Sequence, residues 1–370
     1  MSEIAPETVA QRLERGDDDF TLVDIRQGTD FEEWHVPSSE NVDVYEELKD
    51  DPDAAAEVLS DLPEDGEIVT VCGAGVLAAD AADLLRDQGY DAKTLEDGMN
   101  GWARVHRHAE LETDLEGELI QVARPGTGCL SHVLISEGEG AVFEPSQYTE
   151  EYEAILAEYD ADLSGIFDTH AHADHVSGGQ KLAESQEAPY HLHPADDDGI
   201  GATHVEDGEV LEVGAVEIEV IHTPGHSPGS VTYALEEEAL LTGDTLFHNS
   251  VGRVELGVDA GLEETNVEDN AETLYESLER LRNRSGDPLV LPAHDPGSPQ
   301  PPVVARLSEV KEQNKAFGQD RKTLVAALAG DIPDQPANFE RIKLANVGTE
   351  EISEEEADEL ELGPNRCAAE

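Results

Sequence analysis

Positive charge is what this chain has least of: 22 Lys and Arg stand against 85 Asp and Glu, a formal net charge of -63 with a pI near 4.2. That balance excludes nucleic acid as a ligand, because such binding rests on Lys and Arg contacts to phosphate, and it excludes docking on an anionic membrane surface. Cysteine is scarce as well. Cys72, Cys129 and Cys367 are too few and too scattered for a disulfide framework, which fits a reducing compartment. Nor is there an uninterrupted apolar run of about 18 residues, and the opening MSEIAPETVA has neither a basic region nor an apolar core. Neither a spanning helix nor a signal peptide is expected, and the expected location is the cytoplasm.

What is present supports a folded protein. Apolar residues make up 38% and there are 32 glycines, enough for a full core, and the acids are interleaved with periodic apolar segments instead of gathered in one block. A surface this acidic repels itself where the screening length is about 8 Å and much less near molar salt, where it is about 3 Å. The composition therefore points to a halophilic protein working in a salt-filled cytoplasm.

At 370 residues the length fits two domains. Residues 1–110 alternate strand and helix signals: helix Pro6 to Arg15, strand Thr21 to Ile25, helix Asp53 to Leu59, strand Glu67 to Cys72, helix Ala78 to Gln88 and strand Ala92 to Leu95. Such alternation implies a parallel sheet covered on both faces. Cys72 closes a strand and opens the loop CGAGVL, which runs into a helix; a thiol there meets backbone N–H groups and the positive end of a helix, both of which favour a thiolate or persulfide anion. Residues 106–117 are polar and read as a linker in which His106 and His108 are solvated. A second domain spans 117–348, and 349–370 reads as an acidic tail carrying Cys367 as a free thiol.

The second domain holds the densest chemistry. Thr169 to His175 reads THAHADH after the apolar run Leu163 to Phe167, placing His170, His172, Asp174 and His175 at the end of a buried strand. Three imidazoles and a carboxylate crowded there are unfavourable unless a cation compensates. Further along, His226 lies in TPGHSPG, Asp244 ends an apolar run in LLTGDTLF, and His294 ends another in VLPAHD. Each follows a short strand-like run and a turn, the way loops at one sheet edge converge on a site. Cys129, at the end of the turn RPGTGC, reads as a small buried hydrophobe.

Taken in this order, THAHADH, TPGHSPG, TGDTLF and PAHD resemble the metallo-β-lactamase superfamily, in the branch that holds glyoxalase II and the persulfide dioxygenases. That implies an αββα sandwich. The first domain, with LVDIR, FEEWHVPSSENV, IVTVCGAG and LEDGMNGW, resembles a rhodanese domain, an α/β parallel sheet with helices on both faces in which Cys72 carries sulfane sulfur while Asp24, Arg26 and His35 are scaffold. It departs from thiosulfate-handling rhodaneses in carrying Val76 and Leu77 where a basic residue is usual, which leaves two alternatives: an apolar or larger sulfur donor, such as a sulfur-donor protein at Cys72, or no transfer activity at all.

Two metal chemistries follow from the resemblance. With two zinc ions, His170, His172 and His226 would hold one and Asp174, His175 and His294 the other, Asp244 bridging, for thioester hydrolysis as in glyoxalase II. With one Fe(II) on His170, His226 and Asp244, the residues His172, Asp174, His175 and His294 form a surrounding shell, and a thiol persulfide is oxidised by O2 to sulfite and free thiol. The fused rhodanese unit, PAHD and the VGRVE that follows TGDTLF favour iron, with Cys72, Asp174 and Arg253 as catalytic residues and Arg253 holding a substrate carboxylate. A non-enzymatic alternative is a sulfur-trafficking carrier. The pattern is compatible with a monomer or a homo-oligomer.

Overall fold

The computed structural model describes residues 2–63, 65–259, 261, 265–295, 300–330, 332 and 338–363; Cys367, expected as a free thiol, lies outside the described residues. The chain divides into two units, one built on residues 1–107 and one on nearly all of 108–361.

The first unit is a five-stranded parallel sheet, ordered Glu3–Ile4, Asp91–Leu95, Glu67–Val71, Phe20–Asp24, Glu40–Asn41. Its central strand, EIVTV, is buried on both faces, and alternate side chains feed opposite layers. Ile68 and Cys72 pack with Ala55, Leu59, Ala78 and Leu85 of helices Pro52–Leu59 and Val76–Asp87. Val69 and Val71 pack with Val9, Met99 and Trp102 of helices Pro6–Arg15 and Gly98–Ala103. Pro6 starts its helix and Gly16, at φ 67°, ends it, as those residue types favour.

The second unit stacks two sheets. One is ordered Thr203–His204, Tyr190–Leu192, Asp162–Phe167, Glu139–Phe143, Leu130–Ser136, Glu118–Ala123, Arg107–Leu111; the other Val210–Val213, Val216–His222, Val231–Leu235, Ala239–Gly243, Leu289–Pro292, Ala305–Arg306. Leu119, Leu134, Phe143 and Phe167 from the first interdigitate with Ile218, Val231, Tyr233, Leu241 and Leu291 from the second. Ring centroids of Phe143, Phe167 and Tyr233 lie 4.9, 5.4 and 5.7 Å apart, pairs that add about 0.5–1.5 kcal/mol each beyond area burial. Helices Glu150–Glu158 and Gly179–Gln186 cover one outer face; Val267–Arg282, Leu307–Gln313 and Arg321–Gly330 cover the other. The layers are helix, sheet, sheet, helix, as the resemblance implies.

Two expectations are corrected. Within the expected linker 106–117, Arg107–Leu111 is a strand at the edge of the seven-stranded sheet; its charges alternate with Ala109 and Leu111, which is how an edge strand hides one face. The expected acidic tail begins with a helix, Glu354–Leu360, whose capping box joins Ser353 and Glu356. Its Ala357 and Leu360 are buried, and the Glu361 carboxylate accepts from Gln147 and from the Val176 N–H. Among the described residues no helix is long and apolar enough to cross a membrane.

Candidate metal centre

Strand direction gathers the candidate ligands. Glu139–Phe143 and Asp162–Phe167 run parallel, so Glu144 and the THAHADH stretch leave from one edge; Leu130–Ser136 is antiparallel to them, so Cys129, just before it, sits at that edge too. In the other sheet Val216–His222, Ala239–Gly243 and Leu289–Pro292 share one direction, and His226, Asp244 and His294 all follow their ends. Backbone bonds stitch the two edges together: Leu130 N–H to Ala293 O at 2.7 Å, Asp295 N–H to Gly128 O at 2.8 Å and Val231 N–H to Thr169 O at 2.8 Å.

His170, His226 and Asp244 form a trio. Asp244 Oδ2 lies 3.8 Å from His170 Nε2 and 3.6 Å from His226 Nε2, and all three residues are at most 1% exposed. None of these three atoms has a hydrogen-bond partner. Leaving such groups unpaired costs about 1–3 kcal/mol each, so the trio is built for a cation. Ligand bonds of about 2.0–2.2 Å put neighbouring donors roughly 3–3.5 Å apart, close to the spacing found. Each inward atom is set by what its ring does on the other side: His226 Nδ1 donates to Arg253 O at 2.8 Å, and His170 Nδ1 contacts Thr169 Oγ1 at 2.9 Å. The Thr169 hydroxyl itself donates to Glu144, so His170 Nδ1–H is the donor and Nε2 keeps its lone pair. Burial, reinforced by His172 and His226, holds His170 well below the usual histidine range, and burial lowers His226 too. Both imidazoles are therefore neutral, the form that binds metal.

Beside the trio, Cys129, Asp174, His175 and His294 each offer one donor atom within 4.8 Å of the others. His294 bridges the groups, with Nδ1 2.5 Å from Asp244 Oδ1 and Nε2 2.8 Å from Asp174 Oδ2. Burial works to lower His175 and His294, but Asp174 together with Cys129 outweighs it at His175 and Asp174 together with Asp244 outweighs it at His294, so both imidazoles are held well above their ordinary range. For the Cys129 thiol, burial and Asp174 push upward and the two histidines outweigh them, bringing it to about 6.

His172 goes a third way. Its Nε2 is 3.3 Å from Glu144 Oε2 and 3.8 Å from Asp168 Oδ1. On extended chain His170 and His172 would point alike, but the strand ends at Phe167 and the chain curls, so the two rings face different carboxylates.

Sequence reasoning missed three contributors. Glu144 accepts the Thr169 N–H and hydroxyl, and burial raises its carboxyl to about 7; it ends the apolar run AVF as Asp244 ends its own, a signal that could have found it. Asp196 accepts from Ala171 N–H, Gly229 N–H and the Ser227 hydroxyl, tying the THAHADH loop to the turn that carries His226. Cys129 is buried as expected, yet its sulfur sits among ligands. Gly252 passes so close that a Cβ there would collide with the Asp244 carbonyl, keeping both backbones tight under His226.

Arg253 departs from the expected role. It is 1% exposed and its guanidinium is paired with Glu255 at 2.5 Å, while its carbonyl holds His226. It orders the site from behind; a guanidinium already neutralised by a buried carboxylate is not presented to a substrate.

In the first unit, Cys72 is 3% exposed and its Sγ accepts from Ala78 N–H at 3.4 Å, at the start of helix Val76–Asp87. The loop is pinned by Met99 N–H to Cys72 O and Asn100 N–H to Gly73 O, and a Cβ at Gly98 would collide with that Cys72 carbonyl. Val76 beside it is 71% exposed. Asp24 and Arg26 form a buried pair and His35 stacks on Phe31, which makes them scaffold.

Residues 5–105 match the rhodanese-like domain family and residues 124–294 the metallo-beta-lactamase superfamily. The chain is a rhodanese-like domain fused to a metallo-β-lactamase-superfamily domain, and it belongs to that superfamily. A hydroxyacylglutathione hydrolase of Francisella tularensis subsp. novicida is 31% identical over 44% of this chain and 62% of its own length; an uncharacterized protein of Aquifex aeolicus is 36% identical over 32% and 65%. The chain thus spans less than two thirds of either relative. In fold, it is similar to ETHE1 from Myxococcus xanthus, with a TM-score of 0.54 at 24% identity over 62% of this chain and 98% of that one.

Proposed function

We propose that this protein oxidises a low-molecular-weight thiol persulfide to sulfite and the free thiol with O2, at one Fe(II) held by His170, His226 and Asp244. The observation that carries this reading is the trio itself: two neutral imidazoles and one carboxylate, their inward atoms unpaired, a set suited to non-haem Fe(II) with open positions. The fused rhodanese-like domain supports it, since a unit that carries sulfane sulfur on Cys72 yields the kind of molecule the other unit consumes. Bound iron supplies the redox change and the open positions for sulfur and O2, which zinc, having no accessible redox state, does not.

The chain's residues do the remaining work. Arg253 O and Thr169 Oγ1 fix the two imidazoles; His294 fixes Asp244; Asp196 holds the two ligand loops in register. His172 turns its Nε2 toward Glu144 and Asp168, beside the trio. Overall, one persulfide, one O2 and one water give one thiol, one sulfite and two protons, so two of the sulfite oxygens come from O2. The net charge of -63 supports function in molar salt.

A second reading, a di-zinc thioester hydrolase, is favoured by the donors of Cys129, Asp174, His175 and His294 beside the trio and by the hydroxyacylglutathione hydrolase relative. Two zinc ions would supply an acidified water for thioester cleavage. An oxygen electrode with a sulfite assay, run in molar KCl on a supplied thiol persulfide and then on a glutathione thioester, separates the two. The dioxygenase consumes one O2 per sulfite and spares the thioester; thioester cleavage without oxygen uptake would overturn the proposal.

A further inference from the structure

Helix Phe339–Asn346 lies against the THAHADH loop along one face, with Phe339, Lys343 and Asn346 at i, i+4 and i+7. The outer two residues dock the helix. Phe339 packs on Ala173 and Leu256, and Asn346 donates to the carbonyls of His172 at 3.1 Å and His175 at 2.7 Å while its own side-chain oxygen accepts the Ser177 N–H at 3.0 Å. Lys343, between them, is 2% exposed, and its ammonium makes one bond, to Ala171 O at 3.4 Å. An ammonium has three N–H donors, and its bonds to anionic oxygens run about 2.7–2.9 Å, so two donors and the charge itself are left over. Among the described residues no carboxylate pairs with it.

A buried charge is costly unless something balances it, and an uncharged side chain of the same length would dock the helix as well. The ammonium stands on the side of the trio. Ala171 lies between His170 and His172, and the Lys343 charge adds to burial in lowering both His170 and His226. We propose that Lys343 is the anion-binding residue of this site, its ammonium holding the negative charge of the sulfur ligand: the persulfide anion as it enters and sulfite as it leaves. A neutral thiol or disulfide would leave the ammonium unmatched, so the residue selects ionised sulfur over the uncharged forms. Lysine suits this task because its charge is compact and its three donors rotate to meet whichever atoms arrive. The identity of the anion rests on the proposed function; that the site takes a small anion does not.

The test is sulfite binding by isothermal titration calorimetry to the full chain, purified without oxygen in molar potassium glutamate so that no small inorganic anion competes. Bound metal is measured on each sample, and circular dichroism establishes the fold. Lys343→Met, which keeps the length and removes the charge, should weaken sulfite at least tenfold with metal content unchanged; Lys343→Gln serves as the second variant and should do the same. Lys343→Arg, which keeps the charge, should fall between Lys343→Met and the unchanged protein. Equal sulfite affinity in folded Lys343→Met, or no sulfite binding by the unchanged protein, would overturn the proposal. So would loss of metal or of fold in both Lys343→Met and Lys343→Gln, which would make the lysine a support of the loop. Because no turnover is involved, these outcomes are separate from the oxygen-uptake result on which the dioxygenase reading depends.

Discussion

The two units treat their central residues in opposite ways. Around Cys72 the polar groups are matched: the sulfur accepts from Ala78, the loop carbonyls accept from Met99 and Asn100, and Arg26 is spent on Asp24. Around His170, His226 and Asp244 the supporting bonds are equally complete on the outside, yet the inward atoms face one another unpaired. Backbone and scaffold satisfaction alone hold a loop; leftover buried donors mark where something else must bind. The difference teaches that the groups around Cys72 are matched, while in the second unit the buried donors and acceptors left unpaired converge on one point where an ion fits.

The sharpest way to break that contrast is Asp244→Ala. It removes the carboxylate shared by both imidazoles and by His294, and iron should be lost with activity falling more than about 10²-fold; retained stoichiometric iron would place the metal elsewhere. Asp196→Ala should act on stability, because Ala171 N–H, Gly229 N–H and the Ser227 hydroxyl lose their buried acceptor. A loss of about 3 kcal/mol in denaturant unfolding in molar KCl is expected, and an unchanged midpoint would mean that the two ligand loops are held without it. His172→Ala should lower activity about 10–100-fold and leave iron bound, and complete loss of iron would move His172 in among the ligands.

Two smaller effects sharpen the comparison. Burial holds His132 down at about 3 against 6.5 for an exposed histidine, so between those values the unfolded chain binds the extra proton and stability falls as pH falls below 6.5. His132→Leu should flatten that acid limb; an unchanged slope would assign it to other groups. Cys72→Ala should leave folding and oxygen uptake on a supplied persulfide unchanged while abolishing sulfur transfer to the protein; a large drop in oxygen uptake would tie Cys72 to the oxidation step.

Much of this was legible in the sequence because the ligand-bearing segments announce themselves. Asp244 and His294 each end an apolar run, and Pro6 and Gly16 bracket a helix whose bounds follow directly. The partition of the histidines was not legible. It depends on how the chain curls after Phe167 and on Glu144, which meets His172 across 28 residues of sequence. The place of Cys129 among ligands comes from an antiparallel neighbour and a bridge to His294, both products of tertiary register. Edge strands such as Arg107–Leu111 and Glu40–Asn41 carry too few apolar residues to show themselves, since half their surface faces water. Arg253 was legible as important, with a substrate carboxylate or a nearby acid as its partner; that the acid is Glu255 could not be seen in a chain so rich in acids.

The most direct measurement of the central claim is the iron content of protein purified without oxygen in molar salt, by inductively coupled plasma mass spectrometry, paired with oxygen consumption on adding a thiol persulfide. About one iron per chain is expected, lost in Asp244→Ala, with O2 consumed and sulfite formed in equal amounts. Two zinc ions per chain with no oxygen consumption would contradict it.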